Sequence, residues 1–178
     1  GAPASGSIPS GATRVSDLVS LGGNVTDADG GAALGIAITA VDTSLGTWFF
    51  SIDGGANWNN LGTPSAASAR LLFADADTYV YLDPDGSPSG SIANALTFRA
   101  WDRSGAGGSP TTEGTTHDVS SVDATSAFST TTASAGITIT PVTAPIHVIN
   151  LTALNGAASG TTAGLKINGV NGAGTRGD

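Results

Sequence analysis

Asp27-Ala28-Asp29-Gly30 is the sharpest local motif in the chain. Two carboxylates two residues apart, followed by a glycine, suit a hard cation: calcium takes about six to eight oxygens at about 2.3–2.6 Å, from Asp side chains and carbonyls. Asp75-Ala76-Asp77 and Asp83-Pro84-Asp85-Gly86 repeat the spacing, and Asp102 closes a strand-like run. Calcium is the cofactor such pairs would hold, with Asp27, Asp29, Asp75, Asp77, Asp83, Asp85 and Asp102 as candidate metal ligands. The competing reading is that Asp is a turn former and helix cap. The full D-x-D-x-D-G-x5-E loop of helix–loop–helix calcium sensors is absent.

Nucleophilic chemistry has little to work with. His117 and His147 are the only histidines. A catalytic triad needs a histidine, an acid and a nucleophile in a shaped turn. His117 sits beside Asp118 in a Ser/Thr-rich stretch and reads as a chance pairing, and His147 reads as a surface or edge residue of a strand. There is no G-x-S-x-G elbow, H-E-x-x-H helix or Walker loop, so no enzyme is expected. A glycoside hydrolase needs an Asp pair in a cleft, and the abundant Asp pairs do not forbid it. No aromatic-lined pattern accompanies them. Trp48, Trp58 and Trp101 could each stack on a sugar. Trp48 and Trp101 fall in alternating strands and read as core, which leaves Trp58, just after a hairpin, as the candidate carbohydrate contact. Arg176-Gly177-Asp178 spells the integrin-recognition tripeptide, a three-residue match of little weight.

Composition narrows the classes. The 178 residues carry 6 Lys and Arg against 14 Asp and Glu, a net charge of −8. All the acids but Glu113 are Asp, and Lys166 is the only lysine. A nucleic-acid binder needs a basic footprint that six scattered cations do not supply. Helical bundles draw on Glu, Lys and Arg, which are scarce here. Without Cys there is neither a disulfide scaffold nor a thiolate metal site. Charged residues are only 11 %, which argues against charge-driven disorder. No run approaches the roughly 18 apolar residues of a membrane span. The start at Gly1-Ala2-Pro3, without an initiator Met, is expected of a processed or excised product.

The elements that must position these residues read as strands. Ala33–Val41 alternates, with Leu34, Ile36, Ile38 and Ala40 on one face. Thr47–Ile52 is an aromatic strand, Asp53-Gly54-Gly55 a hairpin turn, and Trp58 begins the return. Ala69–Phe73, Thr78–Leu82, Ala95–Trp101 and Gly136–Val142 are further strands, and Asp83–Gly86 reads as a turn. Residues 102–132 read as a long loop with an edge strand around Ala127-Phe128. Only Val15–Leu21 offers a helical turn, with Val15, Leu18 and Val19 on one face. Short strands at such intervals predict an all-β fold, an antiparallel β-sandwich of cadherin- or immunoglobulin-like type over residues 1–143. Residues 144–178 form a linker and an extended β-rich tail, with Ile146–Leu151 as a strand candidate. This tail cannot bury a core alone.

The run Asn24–Trp58 (NVTDADGGAALGIAITAVDTSLGTWFFSIDGGANW) resembles the cadherin-like repeats of giant bacterial surface adhesins. The likeness continues through Ala69–Asp77 and Leu96–Asp102 and closes at Ala127–Ser129 and Ile137–Val142, covering about residues 12–143. The resemblance implies an extracellular sandwich, strung in tandem and often rigidified by calcium, with Asp27, Asp29, Asp75, Asp77 and Asp102 as ligands. Such repeats usually end in P-V-N-D-A-P; here Pro141-Val142-Thr143-Ala144-Pro145 lacks the Asn and Asp, and the acidic residue expected near the start is missing too. The tail, through Ile149–Gly156, Gly164–Gly169 and Gly177-Asp178, resembles the opening of an FG-GAP, integrin-type propeller repeat. A propeller needs several blades, so the tail alone is not one.

The expected function is that of an extracellular or cell-surface structural and adhesive module, a homo-oligomer or polymer built by strand addition of the tail to the next subunit, with surface glycans or further copies as partners and neither nucleic acid nor a membrane span. The alternative is a carbohydrate-binding module with Trp58 in its site.

Overall fold

The computed structural model describes residues 1–20, 33–86 and 88–140. Asp27, Asp29, His147, the strand candidate Ile146–Leu151 and the rest of the tail lie outside the described residues. The chain opens with β1 (Thr13–Arg14) and the short helix α1 (Val15–Ser20), and continues through β2 (Gly35–Val41), β3 (Gly46–Ser51), β4 (Asn59–Asn60), β5 (Ala69–Phe73) and β6 (Tyr79–Pro84). The strands β7 (Gly90–Trp101), β8 (Thr116–His117) and β9 (Ala133–Ile139) complete it. No helix among the described residues is long and apolar enough to cross a membrane.

The strands form two antiparallel sheets, as the alternating patterns require. One runs β1-β6-β3-β4, the other β8-β5-β2-β7-β9. Period-2 alternation sends Ile36 and Ile38 of β2, Trp48 and Phe50 of β3, Leu72 of β5, Val80 and Leu82 of β6, and Leu96 and Phe98 of β7 into one core between the sheets. Val15, Leu18 and Val19 of α1 complete it, sharing the face that the apolar spacing predicts. The fold is thus an all-β sandwich, with Trp48 and Trp101 buried at 6 % and 0 % exposure.

The opposite face of the second sheet carries a core of its own. Ala37, Leu71 and Trp101 point away from the inter-sheet space and meet Val119, Ala127 and Phe128 from the long Ser/Thr-rich segment, with Phe73 packed alongside. Trp101 stacks on Phe128 (centroids 6.0 Å apart, planes at 18°) and on Phe73 at 5.6 Å. Residues 102–132, read from sequence as loop, therefore form a folded third layer. Ala127-Phe128 contributes only an isolated bridge from Phe128 to Trp101, and the strand that pairs with β5 is β8.

Elements begin and end where packing decides. β2 starts at Gly35, where a Cβ would stand 2.7 Å from the Trp101 ring and 2.8 Å from the Leu72 carbonyl. β6 runs through Asp83-Pro84, so the turn expected at Asp83 begins only at Asp85. Pro84 is tolerated there because its missing N–H falls on the side where, among the described residues, no strand pairs with it. β7 starts earlier than the sequence suggests, at Gly90, and pairs with β9 in two registers separated by an irregularity between Ile92 and Leu96.

Candidate functional site

The register of the strands divides the acidic candidates between two ends of the sandwich. Phe73 and Trp101 both lie opposite Gly35, so Asp75, Asp77 and Asp102 follow at one end. Pro84 lies opposite Gly46 at the other end, with Asp83 and Asp85. Each described pair is engaged locally. Asp75 Oδ1 accepts the backbone N–H groups of Asp77 (3.1 Å) and Thr78 (3.0 Å), closing the turn into β6. Asp102 Oδ1 accepts the Ser104 N–H at 2.8 Å. The Asp83 carboxylate receives the amino group of Gly1, and the Asp85 N–H donates to Leu45 at 3.0 Å. Among the described residues no three His, Cys, Asp or Glu side chains converge as a metal would require. Asp75 and Asp102 each spend one carboxylate oxygen in these turns, and the remaining candidates of the set, Asp27 and Asp29, lie outside the described residues.

Glu113 is the acid that sequence reading passes over. Its Oε2 accepts the Phe73 N–H at 2.9 Å and the Thr78 hydroxyl at 3.0 Å, tying the end of β5 to the start of β6. Burial raises its pKa above the usual 4.5, against those two hydrogen bonds, and nearby Asp75 adds to the rise. Arg103 lowers it, and Arg103 itself is held at φ 59° with its guanidinium 3.2 Å from the Phe73 ring centroid. The one available signal was that Glu113 is the single Glu in an Asp-rich chain.

His117 does not form a triad. Its ring stacks on Phe128 at 5.4 Å, while Asp118 Oδ1 accepts the Ser120 N–H (2.9 Å) and hydroxyl (2.6 Å). Trp58 is half-buried rather than open. Its Nε1 donates to the Ser7 carbonyl at 2.9 Å and its ring meets Tyr81 edge-on at 6.1 Å. The N-terminal segment lies on this hairpin, with the Gly6 N–H donating to Gly55 at 2.9 Å. Gly55 has φ +85°, and a Cβ there would meet the Ser7 carbonyl and the Ile8 side chain at 2.9 Å.

Two open seams flank the core. On one side, β1 covers only Tyr79 and Val80 of β6, so that among the described residues Tyr81–Pro84 pair with β3 alone and have no strand on their other edge. Opposite stands β9, the last strand of its sheet, whose Ala135 and Ile137 remain partly exposed. Between them lies an apolar cavity of about 90 Å³ that reaches Leu18, Trp48, Leu82, Leu96, Ala135 and Ile137. On the other side, the two-residue edge strand β4 faces β5 across a more open cavity of about 330 Å³, lined by Phe50, Ile52, Asn59, Asn60, Arg70 and Gly114. No family model, curated protein or solved structure matches this chain.

Proposed function

We propose that this chain is a non-enzymatic structural and adhesive module of a bacterial surface protein, working outside the cell. Copies join by strand addition, the tail of one entering the sandwich of the next. The observation that carries this reading is the apolar seam between β6 and β9, where the part of β6 that β1 does not cover, the edge strand β9 and a strip of partly exposed core face each other. Unpaired edge N–H and C=O groups above an apolar floor are what an added strand satisfies. The occupant is the segment Ile146–Leu151, whose apolar Ile146, Val148, Ile149 and Leu151 suit such a floor and which belongs to the 38 residues after Thr140 (178 − 140).

Deleting residues 146–178 is expected to abolish polymers seen by electron microscopy and sedimentation, while circular dichroism and melting show the sandwich intact. Polymers that persist after the deletion, or a full chain that stays monomeric, overturn the proposal. Calcium belongs to the same reading, held by Asp27 and Asp29 with Asp75, Asp77 and Asp102. Saturating calcium at about a hundred times its Kd would add roughly 2.7 kcal/mol to stability. A melting curve unchanged by chelator removes calcium from the proposal.

A further inference from the structure

We propose that the seam between β4 and β5 is a binding site for an acidic carbohydrate, whose carboxylate seats on the Arg70 guanidinium.

Arg70 breaks the pattern of its strand. In β5 the side chains of Ala69 and Leu71 join the outer core and Leu72 joins the inner one. Arg70 also points inward, with its guanidinium carbon 5.0 Å above the Phe50 ring centroid. A cation placed among core residues costs desolvation unless a partner compensates it. Here compensation is slight. Nη1 donates to the Gly114 carbonyl at 2.5 Å. Nε is buried without an acceptor, and among the described residues no carboxylate lies within ion-pair distance of Arg70. This is notable in a chain with fourteen acids and six cations. Desolvation also lowers the Arg70 pKa, with no opposing charge to restore it.

The surroundings define the ligand. Arg70 opens onto the cavity of about 330 Å³, near the lower end of the roughly 300–1,000 Å³ typical of small-ligand sites. A guanidinium presents five N–H donors in a planar fork that matches a carboxylate bidentately; with Nε buried and Nη1 donating to Gly114, the end of the fork at Nη1 and Nη2 is what a ligand meets. Beside it stand two exposed amides. Asn60 spends its carbonyl oxygen on the Gly62 N–H at 2.7 Å, which leaves its NH2 group; among the described residues no hydrogen bond engages the Asn59 side chain. One anion-matching fork, an Asn59 amide that can donate and accept, an Asn60 NH2 group that can donate, and the apolar edge of Phe50 and Ile52 fit a sugar ring bearing a carboxylate and hydroxyls. A peptide C-terminus would meet the fork and the amides as well, and titration separates the two ligand classes.

The site is independent of the assembly reading, since β4 and β1 are opposite edges of the same sheet. The test is calorimetric titration of the full chain with oligogalacturonate, the matching neutral galactose oligomer, and a short peptide with a free C-terminal carboxylate. Saturable binding of the oligogalacturonate alone is expected, with shifts of the Asn59 and Asn60 side-chain amide signals. Arg70→Lys keeps the charge without the fork and should weaken binding about tenfold or more. Asn59→Ala removes no internal hydrogen bond, keeps the fold, and should weaken binding roughly two- to tenfold. No binding of oligogalacturonate, equal binding of the neutral oligomer, preference for the peptide, or an Asn59→Ala affinity equal to the wild type overturns the proposal.

Discussion

At the scale of single residues, the acids divide by environment. The half-buried Asp42 and the exposed Asp53, Asp118 and Asp123 have pKa values lowered by hydrogen bonds from Ser44, Asn57, Ser120 and Thr125 respectively. They stabilise the fold above the usual value of 3.8, and this contribution is lost as pH falls through their depressed values. Glu113 has the opposite sign. Its folded pKa is raised above 4.5, so its contribution is complete below 4.5 and is lost as pH rises through the folded value. Thermal stability should therefore peak at mildly acidic pH, between these two windows. In Glu113→Gln, which can still accept both hydrogen bonds, the decline toward neutral pH should flatten in melting curves. A decline as steep as in the parent would refute the assignment. Glu113→Ala leaves the Phe73 N–H and Thr78 hydroxyl without an acceptor and should cost about 1–3 kcal/mol by denaturant unfolding.

At the scale of elements, the outer layer is a separable packing unit. It hangs on Phe128, 4 % exposed and stacked between Trp101 and His117. It is also laced to the sandwich by Asp102 N–H to Ala127 (3.0 Å), Ser129 N–H to Ala100 (2.9 Å) and Val119 N–H to Ala66 (2.7 Å). Phe128→Ala should cost roughly 3–5 kcal/mol. Hydrogen exchange should show amides 102, 119 and 129 losing protection before those of β3 and β6. Simultaneous loss in both groups would show one cooperative unit instead. Here sequence reading was half right. The alternation of Ala95–Trp101 correctly separates Leu96 and Phe98 from Thr97 and Arg99. The aromatic that follows, Trp101, anchors a second core that no local period announces, because its partners Phe73 and Phe128 lie about 27 residues away on either side (101 − 73 = 28; 128 − 101 = 27).

At the scale of the whole molecule, the net charge of −8 acts on top of these local effects. Self-repulsion falls as pH approaches the isoelectric point near 4.3. That term also favours mildly acidic pH, but salt distinguishes it. At 1 M salt the Debye length is about 3 Å, so the global repulsion is screened while the part-buried Glu113 is much less so. The difference between the parent and Glu113→Gln above pH 4.5 should survive high salt, and a difference that vanishes would assign the effect to overall charge. The same scale sets the two seams apart. The β6–β9 seam is apolar and suits a strand; the β4–β5 seam holds a lone cation and two amides and suits an anionic ligand.

The sandwich was legible in the chain's own pattern. Period-2 alternation around Ile36, Trp48, Leu72 and Phe98 dictates strands with one buried face, and Gly and Asp punctuation sets their spacing. It also placed Trp48 and Trp101 in the interior, although Trp101 lies on the face of β7 opposite Leu96 and Phe98 and is buried by the outer layer rather than by the sandwich. Tertiary structure alone decided what the polar residues do. D-x-D spacing is the same whether the acids coordinate a cation or close a turn, and only strand register shows that Asp75 and Asp102 share an end that Asp83 and Asp85 do not. Trp58 looked open until the N-terminal segment covered it at Ser7. Arg70 and Glu113 carry no local signal, because their surroundings are assembled from strands and loops about 40 residues apart in the chain. Burial and the absence of a nearby counter-charge are properties of packing, and no window of sequence contains them.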